Sequence, residues 1–263
     1  MILPDTSVLI AGLLICFVAG FLGGLSGAGT GLIVAGFLAP VVGAKAVMPA
    51  LAVIMLINNG SRVFYYRQAV DWRVAGLMTL LALPGTYLGA QLYMSLSVPT
   101  LEFILGAAIL VVLGYRLIRR QMAKQSNTAH PLSAGSSPAQ RWKKILGAPI
   151  ALLYGFINSL VPGSGVMVLA FFSAIGMSAG AVIANDALLS AVLNLVKIFL
   201  FRSLDGLPDD LMLLALLCGV ASIPGVWFAK WLSGRLHHRV QQGLIELVIA
   251  ASAAHLLIRA LTP

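Results

Sequence analysis

The sequence predicts an all-α integral membrane protein made of two related halves, each with about four apolar helical segments. Of its 263 residues, 60% are hydrophobic and only 10% are charged, and the mean hydropathy is +0.98. Soluble domains carry roughly 25% charged residues, so this chain has too few polar side chains to cover a water-exposed surface. The formal net charge is +9, but the basic residues lie between apolar runs. This is the pattern of membrane-protein loops, so we expect lipid and no nucleic acid as partner.

The apolar segments are long enough to cross a bilayer with some tilt, since about 20 helical residues span a ~30 Å core. In each half the first segment is interrupted by glycines, in residues 8–43 and in residues 147–176. The unbroken segments that follow are residues 46–66, 72–96, 100–118, 179–201, 211–232 and 240–258. A polar stretch rich in Ser, Pro and Lys/Arg separates the halves and is predicted to be a linker. The predicted units are residues 1–118, 119–146 and 147–263.

The two halves are predicted to be an internal duplication. At an offset of 135 residues, Asn59 matches Asn194 and Arg62 matches Lys197. Beyond the loop around residues 204–210 the offset becomes 140, where Pro84-Gly85 matches Pro224-Gly225. Polar and basic residues that recur inside apolar helices are hard to obtain by chance, so we interpret the chain as a repeat protein.

The orientation of the halves is only partly predictable. The linker region between Arg116 and Lys144 carries seven basic residues and no acid, so the positive-inside rule places it in the cytoplasm. For the second half, a parallel and an inverted arrangement both leave 13 of the 17 Lys and Arg residues inside. The answer depends on whether each broken first segment crosses the membrane or turns back, which the sequence leaves open.

The glycine-rich interruptions are the first candidate binding elements. A break inside a membrane helix frees backbone groups that lipid cannot satisfy, so it is tolerated only where it is buried or lines a cavity. The helix that follows each break would point its N-terminus, a natural anion site, into the membrane. Broken helices at matching places in two repeats indicate a transporter's binding site, whereas close helix packing through small residues is the alternative. The candidates are Gly27, Gly29, Thr30 and Gly31, and Gly163, Ser164 and Gly165.

A polar stripe gives the second set of candidates. Spacing of three and four residues places four side chains on one helical face, namely Asp186, Ser190, Asn194 and Lys197. The first half keeps Asn59 and Arg62, with Leu51 at the position of the acid. We expect Arg62, Lys197 and both asparagines to contact an anion, unless the two bases merely extend to the membrane interface. For Asp186 we expect a coupling role; the alternatives are a structural pair with Lys197 or a place near the opposite interface.

Four motifs resemble the TauE/SafE sulfite-exporter family over nearly the whole chain apart from the linker. They are Gly27-Ala28-Gly29-Thr30-Gly31, Ala46-Val47, Arg67 followed by Val70-Asp71-Trp72, and Gly85-Thr86-Tyr87-Leu88-Gly89-Ala90. The resemblance implies a multi-pass permease of the bacterial inner membrane. Its cargo would be sulfite, a sulfonate such as sulfoacetate, or a related organosulfur anion.

Taken together, the patterns predict a secondary transporter of a small anion and no enzyme. Cys16 and Cys218 lie in apolar segments and His255 has no second ligand at helical spacing, so we expect no metal and no cofactor. We also expect the two glycine loops to approach each other near the membrane midplane. One alternative is an accessory membrane subunit without a path of its own, and the other is an intramembrane hydrolase with Ser164 as nucleophile and His255 as base. The oligomeric state stays open, so a homo-oligomer is compatible with the sequence.

Overall fold

The computed structural model describes residues 6–26, 29–105, 107, 114 and 147–233, and this part of the chain is helical without strands. Eight α-helices have defined bounds: α1 Thr6–Ser26, α2 Thr30–Val42, α3 Ala44–Tyr66, α4 Trp72–Ser95, α5 Gly147–Leu160, α6 Gly165–Ala174, α7 Ala179–Ser203 and α8 Asp209–Ser233. A 3₁₀ turn at Arg67–Ala69 joins α3 to α4, and residues 98–105 are also helical. The predicted linker 119–146, the segment 240–258, Gly27 and His255 lie outside the described residues.

Four helices are long and apolar enough to cross a membrane. They cover Thr6–Leu25, Ala44–Ala69, Gly180–Ser203 and Asp209–Leu232. Helix α4 has a similar length and carries Arg73 and Gln91. Large apolar side chains cover the outside of the bundle, with Phe103 76% and Phe199 67% exposed. Such a surface suits lipid and is rare on soluble monomers.

Both glycine-broken first segments turn back on themselves. The Thr30 hydroxyl donates to the Ala19 carbonyl oxygen at 3.1 Å, and a Cβ added to Gly12 would lie 3.0 Å from the ring of Phe37. Later residues of α2 therefore lie beside earlier residues of α1, and the two helices form an antiparallel hairpin. Helices α5 and α6 form a second hairpin, since a Cβ on Gly147 would lie 3.4 Å from the ring of Phe171.

Helices from opposite halves pack through glycines. Helix α1 lies along α8, where Gly20 touches the carbonyl of Ser222 so closely that an added Cβ would overlap it. Helix α4 lies along α5 in the same way, with Gly85 against the carbonyl of Leu152. In both pairs, later residues of one helix contact later residues of the other, so the helices run parallel. Each hairpin is thus held by a helix of the other half.

Helices α3 and α7 cross the centre of the molecule in opposite directions. Arg62 of α3 contacts Asp186 of α7, and a Cβ on Gly180 would lie 3.9 Å from Ala69. Moving forward along α3 therefore means moving backward along α7. The polar stripes of the two helices face each other across this antiparallel contact, which is where the candidate site lies.

Candidate functional site

A small cavity lies where the two hairpin tips meet α3 and α7. Its volume is about 60 Å³. On the same scale one water needs roughly 10–15 Å³, so the cavity can hold a small ion or a few waters. Ten of the predicted site residues line it: Gly29, Thr30, Gly31, Asn59, Arg62, Gly163, Gly165, Asp186, Asn194 and Lys197. Ser164 does not line the cavity, because its hydroxyl turns to donate to the Asn158 side-chain oxygen at 3.1 Å.

The two glycine loops lie against each other at the cavity. A Cβ on Gly31 would be 3.6 Å from the backbone nitrogen of Gly163, and a Cβ on Gly163 would be 2.5 Å from Leu32. Gly29 and Gly163 have φ angles of 105° and 86°, in the left-handed region that glycine adopts without a steric cost. The sharp turns and the close approach of the loops therefore both depend on glycine. The depth of the loops in the membrane stays a prediction.

Helices α2 and α6 both begin at this cavity. Neither Gly29 nor Ser164, the residues that precede the two helices, makes a side-chain capping hydrogen bond. The first backbone N–H groups of a helix have no partner within the helix, and they carry its positive dipole end. In α6 the N–H groups of Val166 and Met167 donate to the carbonyl oxygens of Gly163 and Ser164, so the positive dipole ends of both helices lie at the cavity, but not all of their first N–H groups are open.

The two bases predicted from the stripes are buried in the cavity and do not reach a helix end. Arg62 and Lys197 are each only 2% exposed. Arg62 donates to the Asn59 side-chain oxygen at 2.9 Å and lies 3.4 Å from the Asp186 carboxylate. Lys197 donates to the backbone oxygen of Asn158 at 3.1 Å. The alternative that Asp186 pairs with Lys197 is thus wrong: its ionic partner is Arg62, which the antiparallel α3 brings alongside.

The lining residues leave an uncompensated positive charge. Two bases and one acid give a formal charge of +1, and among the described residues no carboxylate lies within ion-pair distance of Lys197. A buried charge without a counter-ion is costly.

Three polar atoms of the lining residues Asn59, Asn158 and Asp186 lack a hydrogen-bond partner in the described part of the chain. They are the side-chain nitrogens of Asn59 and Asn158 and the Oδ1 atom of Asp186. Buried polar groups are nearly always paired, and an unpaired one costs about 1–3 kcal/mol. Water or a ligand in the cavity would supply partners for two donors and one acceptor.

The prediction missed Tyr154 and Asn158, which line the cavity from α5. The Tyr154 hydroxyl bonds to the Ser190 hydroxyl at 2.9 Å, and Asn158 holds both Ser164 and Lys197. The two residues are four apart in an apolar helix, so they share one face. This spacing, in the helix that precedes the loop at Gly163, is the sequence signal that could have identified both residues.

The family model described as Sulfite exporter TauE/SafE matches residues 12–256, nearly the whole chain. The chain belongs to the TauE/SafE family. The resemblance inferred from the motifs is therefore confirmed. Comparisons with curated proteins and with solved structures gave no match. As a TauE/SafE protein, the chain is a membrane protein of a transporter family whose members export sulfite or related anions.

Ser164, the nucleophile of the hydrolase alternative, donates to the side-chain oxygen of Asn158 and is not among the residues that line this cavity. His255, the base of that alternative, lies outside the described residues. Within the described ranges no cluster of three His, Cys, Asp or Glu side chains could hold a metal ion. The side chains that meet at the cavity instead form a polar pocket with excess positive charge.

Proposed function

We propose that this chain is a secondary transporter that carries sulfite, a sulfonate or a related small organosulfur anion through the cavity between the two hairpins. The observation that carries the proposal is the buried Lys197, which lines the cavity without a carboxylate partner among the described residues. Arg62 and the uncapped starts of α2 and α6 add to the positive potential. Asn59 and Asn158 supply side-chain donors, and Asn194 lines the same cavity.

The packing of the helices supports an inverted repeat, with residues 1–118 and 147–263 as the two units. Helices α3 and α7, which match each other in the duplication, run antiparallel. Contacts between the halves also recur at the sequence offsets of 135 and 140 residues. The recurring contacts are Gly20 with Ser222 and Gly155 with Ala82, and Gly225 with Phe17 and Gly85 with Leu152. Inverted repeats with broken helices at their interface are a common architecture of secondary transporters.

The inverted arrangement leads to a definite topology in the bacterial inner membrane. The linker 119–146 and the 3₁₀ turn after α3 would face the cytoplasm, and the loop between α7 and α8 would face the opposite side. Cysteines introduced at Gln68 and Ser203, both exposed, test this by labelling with a membrane-impermeant thiol reagent in intact cells. Both native cysteines are buried. We expect labelling at Ser203 only; equal labelling at both positions would refute the topology.

The transport proposal is tested by counterflow exchange in proteoliposomes. Vesicles loaded with unlabelled sulfite or sulfoacetate should take up the same labelled anion faster than protein-free vesicles do. The matched variants are Lys197→Gln and Lys45→Gln, because Lys45 is exposed at the start of α3. Exchange that Lys197→Gln abolishes and Lys45→Gln preserves supports the proposal. Wild-type protein that exchanges neither anion would favour an accessory subunit instead.

A further inference from the structure

Asp186 is the one acid among the residues that line the cavity. Its Oδ2 atom lies 3.4 Å from Arg62, longer than the ~2.7–2.9 Å of a tight charge-assisted hydrogen bond. Its Oδ1 atom has no partner among the described residues. A purely structural buried ion pair is stable only with good geometry and with its remaining lone pairs satisfied. This pair has neither and borders a ligand-sized space.

We propose that Asp186 is a proton-binding site that couples anion uptake to proton uptake, because the anion and the Asp186 carboxylate compete for Arg62. The inference rests on the proposed function. When an anion enters and takes over the Arg62 guanidinium, the released carboxylate binds one proton from water and becomes a neutral carboxylic acid. When the anion leaves, the proton leaves too and Asp186 pairs with Arg62 again.

The charge balance of this exchange favours transport. The empty cavity holds two bases and an ionised acid, a formal charge of +1. After a monoanion and a proton have entered, the formal charge is again +1. Loaded and empty cavities then carry the same charge, so neither form is trapped by its own electrostatics. An anion without the proton would change the charge of the cavity by one unit.

Among the described residues that line the cavity, Asp186 is the one that carries a carboxylate. Helix α3 presents Arg62, and α5 presents Tyr154, whose hydroxyl is bonded to Ser190. The start of α6 approaches at Gly165, where an added Cβ would lie 3.6 Å from Oδ1. The nearest acid toward α4, Asp71, accepts hydrogen bonds from the first backbone N–H groups of that helix.

On Asp186's own helix, Lys197 is the other charged residue that lines the cavity. The matching position in the first half is Leu51, which cannot bind a proton. A single site predicts one proton for each anion. In a cell with an acidic exterior, the coupling would drive uptake.

The test uses full-length protein in proteoliposomes, with methanesulfonate as the probe. Methanesulfonate stays a monoanion across the working pH range, so a pH effect cannot arise from protonation of the probe. The membrane potential is clamped at zero with potassium and valinomycin, and the interior is one pH unit more alkaline than the exterior. One-to-one coupling predicts about tenfold accumulation inside, since one pH unit corresponds to a tenfold ratio. Accumulation should vanish without the pH gradient.

The variants separate this coupling from transport itself. The ratio of pH-driven accumulation to counterflow exchange, measured on the same preparation, should fall in Asp186→Asn and recover in Asp186→Glu, which keeps a titratable carboxyl group. Asp205→Asn is the matched control, an exposed acid in the loop after α7, and should behave as wild type. If Asp186→Asn does not fold, the wild type and Asp186→Glu decide the question.

Wild-type exchange without pH-driven accumulation would overturn the inference and leave the transport proposal standing. Accumulation that persists in Asp186→Asn would overturn it as well. Failure of the wild type to exchange methanesulfonate, sulfite and sulfoacetate would overturn the proposed function itself, and the inference with it.

Discussion

Replacing Lys197 with Met should make the empty protein more stable while it weakens anion binding. The side chain is 2% exposed and has a single hydrogen bond, to the backbone oxygen of Asn158. The chain therefore bears the desolvation cost of a buried cation without a carboxylate to offset it. Methionine is similar in length and apolar, so it removes that cost and keeps the packing. We expect a gain of about 1–4 kcal/mol in the free energy of unfolding.

The same substitution should weaken binding of sulfite about a hundredfold. A charge ~6 Å from the bound anion, at an effective dielectric constant of ~20, contributes about 3 kcal/mol. That energy corresponds to a factor of roughly 100 in the dissociation constant. The assay is equilibrium binding of labelled sulfite to purified protein, combined with thermal unfolding in the absence of ligand. Lys45→Met is the control, because Lys45 is exposed and does not line the cavity, and neither quantity should change in it.

Two results would refute this reasoning about Lys197. A lower unfolding temperature of the empty Lys197→Met protein would mean that the lysine is compensated and stabilising. An affinity equal to that of Lys45→Met would mean that the anion does not sense the Lys197 charge. Opposite signs for stability and affinity in one variant are what an uncompensated binding-site cation requires.

Three further predictions concern the packing and the loops. Gly85→Ala should lower the free energy of unfolding by about 1–3 kcal/mol, since its Cβ would overlap a carbonyl of α5. The control Gly76→Ala has open space on the same helix and should instead raise the free energy of unfolding by up to ~1 kcal/mol. Thermal unfolding measures both. Gly29→Ala should cost ~1–2 kcal/mol, because φ is 105°, and should weaken sulfite binding in the same equilibrium assay. Arg62→Met should lower the free energy of unfolding by about 3–5 kcal/mol and with it the folded yield. The double variant Arg62→Met with Asp186→Leu should recover the yield. A double variant with the same folded yield as the single one would contradict the ion pair.

The sequence contained most of the site because helical spacing is a local property. Residues that recur every three or four positions share a face wherever the helix lies, so Asp186, Asn194 and Lys197 could be grouped before any contact was known. The breaks at the glycine loops were equally local, because glycine permits the backbone angles that a sharp turn needs. The confirmed all-helical fold and family likewise follow from composition and motifs.

The remaining features depend on contacts between distant parts of the chain. Charge counting could not orient the second half, because both arrangements leave the same number of bases inside. The alternative that paired Asp186 with Lys197 fails for a geometric reason. Lys197 is three turns further along the same helix, about 16 Å at 1.5 Å per residue, too far for an ion pair. Arg62 comes from an antiparallel helix in the other half, and no pattern within α7 predicts that pairing.

Each hairpin packs against a helix of the other half, and this affects the order in which the helices assemble during synthesis. Among the described helices, α1 is the first to leave the ribosome and α8, which packs along it through Gly20, is the last. At ~5–20 residues per second this interval is on the order of 10–40 s. Until then the first hairpin must wait in the membrane with its glycine face covered by lipid. The second hairpin enters after α4 and finds its partner already inserted. Two hairpins of similar shape therefore dock at different times, and a nascent chain truncated before α8 leaves only the first of them without its partner.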